Sequence, residues 1–358
     1  MTKPRARELG IPFEGAPGEY NAITDVPGVT VGYATVIQGE SARTGVTIIH
    51  PRGREDHDPV FAGWFPFNGN GEMTGSAWVE EGGFLEGPIG ITNTHSVGIV
   101  RDTIIQWQIK HSRIFQGWSC PLVAETADGW LNDINAFFVR PEHVLSALNS
   151  AKSGPVEEGN VGGGTGMLCY EFKGGTGTSS RKLPEKFGGW TVGALAQTNF
   201  GRRFQLTIAG VPVGQHLKED SVLTNGEHPF KQESGSLIVV IATDAPLLPH
   251  QLKRLAKRAS LGMARTGSLG GNGSGDIFLA FSTANPNAAL GDQDGLASIQ
   301  ALSNNFIDPI LMSSAYTTEE AIINSMVAAE DMTGHRGMSA KALPLDKLLE
   351  LMKHYNRA

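Results

Sequence analysis

The period of the hydrophobic positions changes several times along the chain, and each period predicts a different element. Residues 28–36 and 44–50 carry β-branched side chains between turn signals, which is typical of short strands. Residues 203–213 have the same character and predict another strand. Residues 276–283 predict a further strand near the end of a glycine-rich segment.

Helical spacing dominates elsewhere. Residues 101–115 place apolar side chains three and four positions apart, and residues 250–265 form a basic amphipathic pattern. Pro141 stands where the first turn of another helix is expected. Residues 317–332 predict a helix capped by Thr317 or Thr318, with two acidic residues in its first turn. Strands and helices mix in both halves, which favours an α/β fold whose helices cover stacked sheets.

Residues 237–242 form the strongest single pattern in the chain. The run Leu-Ile-Val-Val-Ile-Ala has no polar alternation, is short and β-branched, and is followed by Pro246. These features predict a strand that is buried on both faces. A polar segment at residues 212–232 and the pair Gly235-Ser236 precede it.

Composition narrows the functional classes. The chain has 358 residues, a net charge of −7 and 46 glycines, so it carries no basic excess of the kind that nucleic-acid binding needs. No apolar run approaches the roughly 18 residues of a membrane span. The charged N-terminus has no apolar segment after it, so no signal peptide and a cytoplasmic location are expected.

The cysteines and histidines suggest neither a metal nor a redox centre. Cys120 and Cys169 lie outside any CxxC pair, and two buried free thiols are expected rather than a disulfide. The histidines lack metal-binding spacing, so we expect no metal and no cofactor. His95 is polar enough in its context to line a site, although a structural hydrogen bond explains it equally.

Gly235-Ser236 is the candidate for nucleophilic chemistry. Serine needs a base, and the G-x-S-x-G elbow of serine hydrolases does not occur in this chain. A serine at a chain terminus has its own α-amine as base, with a pKa of roughly 7.7–8.0. Cleavage before Ser236 would create that amine, and Gly235 would leave the hydroxyl access to the preceding carbonyl. Alone, this pattern is weak, because strands often begin with serine after a glycine turn.

A second polar pair lies in the glycine-rich segment at residues 266–276. Ser274 and Asp276 are two positions apart, so an extended chain places both side chains on one face. Such a pair could relay hydrogen bonds to a hydroxyl or an amine. An ordinary turn with an Asx cap is the alternative. Another glycine-rich stretch, residues 159–177, lacks the Gly-Lys-Ser/Thr ending of a phosphate loop and predicts a turn or a pocket wall.

Long motifs throughout the chain resemble the DmpA-type aminopeptidases, the L-aminopeptidase D-amidase/D-esterase and β-peptidyl aminopeptidase group of peptidase family S58. The motifs are Gly-Ser-Leu-Ile-Val-Val at 235–240, Ala-Thr-Asp-Ala-Pro-Leu-Leu-Pro-His-Gln-Leu-Lys-Arg-Leu at 242–255, Asn-Gly-Ser-Gly-Asp at 272–276, Asn-Gly-Asn-Gly-Glu-Met-Thr-Gly at 68–75, Gly-Asn-Val-Gly-Gly-Gly-Thr-Gly-Met at 159–167, and Gln-Thr-Asn-Phe-Gly at 197–201.

The resemblance implies a four-layer αββα sandwich of the Ntn-hydrolase-like, DmpA/ornithine acetyltransferase type. It implies one catalytic domain, residues 1–358, that cuts itself between Gly235 and Ser236 into chains 1–235 and 236–358. It also implies a self-processing serine aminopeptidase that acts on small peptides, amino-acid amides or esters, without a cofactor. A tetramer of cleaved heterodimers is expected by the same resemblance, which does not say whether L-peptides, D-amides or β-peptides are preferred.

The resemblance also assigns roles to individual residues. Ser236 matches the nucleophile, and Ser274 and Asp276 match the residues that help activate it. Asn199 matches an oxyanion-binding asparagine, and Glu125 matches the glutamate that binds the free amino group of the substrate.

One position departs from the family pattern. An aromatic residue, usually Tyr, is expected two positions after that glutamate, and this chain has Ala127 instead. Two alternatives therefore stay open. One is an acyltransferase of the ornithine-acetyltransferase type, which uses a threonine nucleophile. The other is an uncleaved, non-catalytic relative on the same scaffold, for which Ala127 is the only support.

Overall fold

The protein is described here from a computed structural model, which covers residues 4–219, 221–222, 234–291 and 293–357. The strands are β1 (Thr30–Gln38), β2 (Ala42–His50), β3 (Val60–Pro66), β4 (Phe84–Leu85), β5 (Ile89–Asn93), β6 (Leu122–Thr126), β7 (Leu168–Cys169), β8 (Phe172–Lys173), β9 (Gly175–Lys182), β10 (Thr191–Asn199), β11 (Ser234–Thr243), β12 (Gly273–Ser282), β13 (Met332–Thr333) and β14 (Ser339–Ala340). The α-helices are α1 (Ser76–Gly82), α2 (Val97–Lys110), α3 (Pro141–Ser150), α4 (Val213–His216), α5 (Pro249–Arg265), α6 (Asp308–Val327) and α7 (Leu345–His354).

Two sheets stack face to face to form the centre of the molecule. One has four strands in the order β1-β2-β5-β6, and the other has six in the order β4-β3-β12-β11-β10-β9. A buried apolar cluster with members from both sheets fills the space between them; it includes Ile49, Ile91, Ala124, Leu195, Ile238, Val240 and Leu279. Helices α2 and α3 pack on the outer face of the four-stranded sheet, and α5 and α6 on that of the six-stranded sheet. The predicted αββα sandwich is confirmed.

Strand β11 lies inside the six-stranded sheet and is buried on both faces. Leu237, Val239 and Ile241 belong to the core under the helices, whereas Ile238 and Val240 belong to the core between the sheets. Because successive side chains point to opposite faces, a strand between two cores must be apolar at every position. This explains the unbroken hydrophobic run and confirms the predicted strand.

The neighbours of β11 set the geometry of the site. Strand β10 runs antiparallel to it, and the register pairs Asn199 with Ser236. Strand β12 runs parallel and pairs Gly275 with Ser236. A parallel pair needs a crossover connection, which α5 supplies. This order brings polar residues from three strands to one end of the sheet.

The predicted strand at 203–213 is wrong. The segment contains a short 3-10 turn at Arg203–Gln205, an isolated bridge between Ile208 and Val211, and the short helix α4. Ala209 and Gly210 have positive φ values, 48° and 82°, so the chain folds back on itself between the two bridged residues. Leu206, Ile208 and Val211 are buried, but in a tight turn rather than in a strand.

The predicted start of the helix at 317–332 is also wrong. Helix α6 begins nine residues earlier, at Asp308 with Pro309 in its first turn, and ends at Val327. Thr317 lies inside the helix and donates its hydroxyl hydrogen bond to the Ser313 carbonyl at 2.9 Å. The two acidic residues are buried and paired with arginines: Glu319 with Arg265, and Glu320 with Arg7 and Arg181.

The end of helix α2 differs from the sequence prediction, whereas the state of the cysteines agrees with it. Helix α2 ends at Lys110 rather than at residue 115, since Ser112 adopts a left-handed φ of 54°. Cys120 and Cys169 are free thiols as expected; Cys169 is buried, and Cys120 is partly exposed. Part of the polar segment at 212–232, including residues 223–232, lies outside the described residues. Among the described helices, none has the length and apolar character that crossing a bilayer requires.

Candidate active site

Ser236 lies at the place where the two sheets meet. Strand β11 runs without a break through the Gly235–Ser236 bond, and Ser236 is only 3% exposed. Its Oγ accepts a long hydrogen bond, 3.4 Å, from the backbone N–H of Ala127. Ala127 directly follows β6 of the other sheet. The candidate nucleophile therefore already has a backbone donor at its oxygen.

Asn199 ends β10 beside Ser236, and both ends of its amide are held. Its Nδ2 donates to the Ala127 carbonyl at 2.9 Å, and its Oδ1 accepts from the Leu168 backbone N–H at 3.0 Å. These two bonds determine which end of the amide carries the nitrogen. Nδ2 has a second N–H, which can serve as a donor near the Ser236 hydroxyl.

Close packing explains why glycine precedes the serine. A Cβ added to Gly235 would lie 2.7 Å from the Asn199 carbonyl oxygen and 2.9 Å from the Phe200 Cα. Both contacts are with backbone, which cannot move aside as a flexible side chain can. Position 235 in this strand therefore requires glycine, for a reason that the sequence alone could not reveal.

Ser274 and Asp276 lie on β12, on either side of the residue that pairs with Ser236. The Ser274 hydroxyl donates to Asp276 Oδ1 at 2.8 Å, so the two side chains share one face as predicted. Both residues are buried; Asp276 has no exposed surface and Ser274 is 1% exposed. In register the two residues stand opposite Gly235 and Leu237, the neighbours of Ser236 along β11.

Asn68 is a residue of the site to which the sequence assigned no role. Its Nδ2 donates to Asp276 Oδ2 at 2.9 Å, and its backbone carbonyl accepts from the Asp276 N–H at 3.1 Å. Asn70 Nδ2 in the same loop donates to the Gly273 carbonyl at 2.9 Å. The loop thus holds Oδ2 of the buried carboxylate, whose Oδ1 accepts the Ser274 hydroxyl, and it also holds the entry of β12. The sequence motif at 68–75 marked this loop, but it could not show the contact between Asn68 and Asp276.

Glu125 lies on β6, with its carboxylate buried beside the nucleophile-bearing sheet. One oxygen accepts the Glu72 backbone N–H at 3.0 Å, and the other accepts the Thr94 hydroxyl. A Cβ on Gly71 would come within 3.1 Å of Glu125 Oε1 and 3.3 Å of the Gly275 Cα, so the carboxylate lies close to the residue opposite Ser236. Burial raises the pKa of Glu125 above its ordinary value, although the two hydrogen bonds oppose this shift.

Position 127 opens into a cavity of about 310 Å³ that Asn199 and Gly235 also line. The cavity is lined by Ala127, Gly129, Trp130, Leu168, Glu171, Asn199, Phe200, Gly201 and Gly235. Ala127 is exposed there, so its methyl group leaves the entrance wide. The loss of an aromatic side chain at this position removes no backbone donor, because the N–H still reaches Ser236.

The structure places the five predicted residues on neighbouring strand ends. Ser236, Ser274 and Asp276 lie on adjacent strands, Asn199 lies on the third, and Glu125 approaches from the second sheet. His95 is exposed near Glu125, and its charge acts to lower the Glu125 pKa. The arrangement offers a hydroxyl nucleophile, two N–H donors, a hydrogen-bonded serine–carboxylate pair and a separate buried carboxylate.

Comparisons with known proteins show the family of the chain. The family model of peptidase family S58 matches residues 21–340. The chain is 50% identical to the beta-peptidyl aminopeptidase BapA of Sphingosinicella microcystinivorans, over 99% of this chain and 93% of that protein, and 45% identical to BapA of Sphingosinicella xenopeptidilytica, over 99% and 92%.

Solved structures give the same result. The L-aminopeptidase D-Ala-esterase/amidase from Ochrobactrum anthropi, a serine aminopeptidase with a variant of the Ntn hydrolase fold, superimposes with a TM-score of 0.91 at 47% identity, covering 99% of both chains. A Burkholderia beta-aminopeptidase superimposes with a TM-score of 0.88 at 46% identity, covering 98% of this chain and 99% of that one. The chain therefore belongs to peptidase family S58 and is a hydrolase of the Ntn aminopeptidase and amidase type.

Proposed function

We propose that this protein cuts its own Gly235–Ser236 bond and then releases N-terminal residues from peptides, aminoacyl amides or esters through an acyl-enzyme on Ser236. The position of the Ser236 hydroxyl carries this proposal. The hydroxyl oxygen accepts the Ala127 N–H, and residue 236 pairs in register with Asn199 on one side and with Gly275, which stands between Ser274 and Asp276, on the other. The proposal covers L-residues, D-amides and β-peptides as one class of substrate and assigns no preference among them.

Self-cleavage follows from a simple sequence of bonds. Ser236 Oγ attacks the Gly235 carbonyl carbon, the peptide nitrogen leaves as the Ser236 α-amine, and an ester joins the two residues. Water then hydrolyses this ester to give a Gly235 carboxylate and a free Ser236 hydroxyl. Chains 1–235 and 236–358 would stay together, because β11 and β12 of the second lie between β10 and β3 of the first. This supports a single catalytic domain made of two chains.

The mature enzyme would use the same atoms on its substrate. The Ser236 α-amine, with a pKa of roughly 7.7–8.0 in a free chain, takes the hydroxyl proton as the oxygen attacks. The Ser274 hydroxyl, oriented by Asp276, exchanges hydrogen bonds with that amine. The Ala127 N–H and Asn199 Nδ2 stabilise the oxyanion, a role worth roughly 2.7–4 kcal/mol for one donor in a comparable site.

Glu125 would hold the ammonium group of the substrate. Its carboxylate is buried without a paired cation among its hydrogen-bond partners, which are the Glu72 N–H and the Thr94 hydroxyl. An ammonium group supplies the missing opposite charge. This requirement explains why a free amino terminus would be needed and why the family cleaves one residue at a time.

The two alternative functions lose support at particular residues. A serine at 236 departs from the threonine of the acyltransferase type. Ala127, the one feature in favour of a non-catalytic relative, keeps its backbone N–H at the serine oxygen. A tetramer of cleaved pairs and a cytoplasmic location stay predictions from the resemblance and from the sequence.

Matched substrates with free and acetylated amino groups test the proposed activity. Alanyl and β-alanyl p-nitroanilides and their N-acetyl forms are incubated with the purified protein. We expect release of nitroaniline from at least one free-amine substrate, none above background from the acetylated forms, and a smaller fragment whose N-terminal sequence begins Ser-Leu-Ile-Val. Equal hydrolysis of both forms, or none of either, would contradict the proposal.

A further inference from the structure

We infer that the 310 Å³ cavity lined by Gly235 and Asn199, the neighbours of Ser236, receives the leaving group of the substrate, and that Trp130 makes the enzyme favour an apolar second residue. This inference rests on the proposed aminopeptidase function and assigns the part of the substrate that follows the cleaved bond. Nothing in the assigned roles of Ser236, Ser274, Asp276, Asn199 or Glu125 concerns that part.

The order of the strands gives the direction in which a substrate lies. Glu125 is on the β12 side of Ser236, because Gly71 brings it close to Gly275. Asn199 and the cavity are on the β10 side. A substrate whose ammonium group contacts Glu125 and whose carbonyl carbon meets Ser236 must continue toward β10. The atoms beyond the cleaved bond therefore enter the cavity.

The walls of the cavity are largely apolar and are held in place. Trp130 is half-buried, and its indole N–H donates to the Ser339 carbonyl at 3.3 Å. Leu168 is half-buried and anchored through its backbone to the Asn199 amide. The volume lies at the lower end of the roughly 300–1,000 Å³ of small-ligand pockets, which suits one residue better than a long peptide.

The single acidic group of the wall is compensated. Glu171 is 2% exposed, accepts the Arg203 backbone N–H at 3.2 Å, and has the Arg202 guanidinium at 3.8 Å and the Ser221 hydroxyl on its other oxygen. Its charge is therefore balanced by the protein. The cavity consequently favours an uncharged side chain, whose burial against Trp130 is stabilised by the hydrophobic effect.

The test compares leaving groups on one acyl residue. Alanyl or β-alanyl, whichever the wild type cleaves, is joined to leucinamide and to glycinamide, and kcat/KM is measured for both. We expect the wild type to prefer leucinamide about tenfold, which is about 1.4 kcal/mol. Trp130→Ala should bring the two values within threefold by lowering the leucinamide value, and Trp130→Phe should keep most of the preference. Trp118→Ala, on an indole that is 64% exposed, is the matched control and should change neither value.

The other outcomes separate the two proposals. If Trp130→Ala changes the preference for the first residue, tested with alanyl- and valyl-glycinamide, the cavity holds the acyl side chain and the inference is wrong. A wild type that cleaves all probes without a leucinamide preference also refutes the inference alone. A wild type that cleaves no probe refutes the proposed function and the inference with it. Should Trp130→Ala misfold, as seen by loss of its thermal transition, the Phe variant and a Trp130→Leu variant decide.

Discussion

Replacing Glu125 by Gln isolates the charge that is proposed to bind the substrate. Gln has nearly the same shape, so its carbonyl oxygen can still accept the Glu72 N–H while its amide group donates to the Thr94 hydroxyl. The change therefore removes a negative charge while it keeps a partner for the Glu72 N–H and for the Thr94 hydroxyl oxygen. We expect intact folding, intact self-cleavage and a large loss of activity on substrates with a free amino group.

The size of that loss follows from the burial of the carboxylate. Two unit charges 4 Å apart interact by about 4 kcal/mol at an effective dielectric constant of 20. Truncating one partner of a buried charge pair costs about 2–5 kcal/mol. Glu125 is 3% exposed, so little solvent screening reduces these values. The expected decrease in kcat/KM is about a hundredfold to a thousandfold, and most of it should appear in KM.

The raised pKa of Glu125 makes the stability of the folded protein depend on pH, and the sign of this dependence follows from the direction of the shift. Burial raises its pKa in the folded protein, so between the unfolded and folded pKa values the folded state binds more protons. The stability that this proton gives is present at low pH and is lost as pH rises through the folded pKa. The charged carboxylate thus destabilises the free enzyme at pH 7, and Glu125→Gln should unfold at an equal or higher temperature there.

The assay follows kcat/KM against pH for both proteins. The Ser236 α-amine gives both proteins an acid limb at roughly pH 7.7–8.0. In the wild type, a second decrease below it should lie above the ordinary glutamate pKa, because only the carboxylate binds ammonium. In the Gln variant this second decrease should disappear. Equal losses in self-cleavage and in substrate hydrolysis would refute the assigned role, since self-cleavage involves no substrate ammonium. A second decrease that persists in the variant would refute it as well.

Further variants probe the other parts of the site. Asn199→Ala should lower kcat by about 10²–10³ in single-turnover kinetics, because it removes a proposed oxyanion donor; an unchanged kcat would remove that role. Asp276→Asn should slow both self-cleavage and hydrolysis by about a hundredfold or more, since Ser274 loses the carboxylate that orients its hydroxyl; a normal cleavage half-time would contradict this. Gly235→Ala should lower the free energy of unfolding by about 1–3 kcal/mol and impair self-cleavage, as its Cβ would meet backbone at 2.7 Å. Gly98→Ala, in helix α2 with no atom within 4 Å of the added Cβ, should instead be stabilising by about 0.5–1 kcal/mol, and chemical denaturation compares the two.

Local patterns predicted the elements whose environment is simple. Residues 237–242 of β11 are apolar throughout because they lie between two cores, and the short, β-branched run before Pro246 favours a strand. Ser274 and Asp276 share a face because a strand has a period of two. In both cases the structural cause acts within a few residues, so the sequence contains it.

Long-range contacts caused the error at the start of helix α6. Thr-Thr-Glu-Glu has the composition of a helix start, but Glu319 and Glu320 are buried inside α6 and compensated by arginines that lie elsewhere in the chain. A local pattern cannot show such a partner. At 203–213 the cause is local: the positive φ values of Ala209 and Gly210 bend the segment that was predicted as a strand.

The functional site shows the same contrast between features that local patterns reveal and features that depend on long-range contacts. The contact between Asn68 and Asp276 joins residues 208 positions apart, and the Ala127 donor is a backbone N–H that no side-chain pattern reveals. Family resemblance assigned roles to the side chains, and the structure places their residues on neighbouring strand ends. The backbone contributions and the cavity at Trp130 emerged only from the folded arrangement.

The intact mass of the protein beside a Ser236→Ala variant, under denaturing conditions, tests the central claim most directly. Self-cleavage predicts two fragments that join at 235/236 in the parent and a single 38.1 kDa chain in the variant. A single chain in both proteins would contradict the claim that Ser236 becomes an N-terminal nucleophile. Two fragments in both would contradict the claim that Ser236 performs the cleavage.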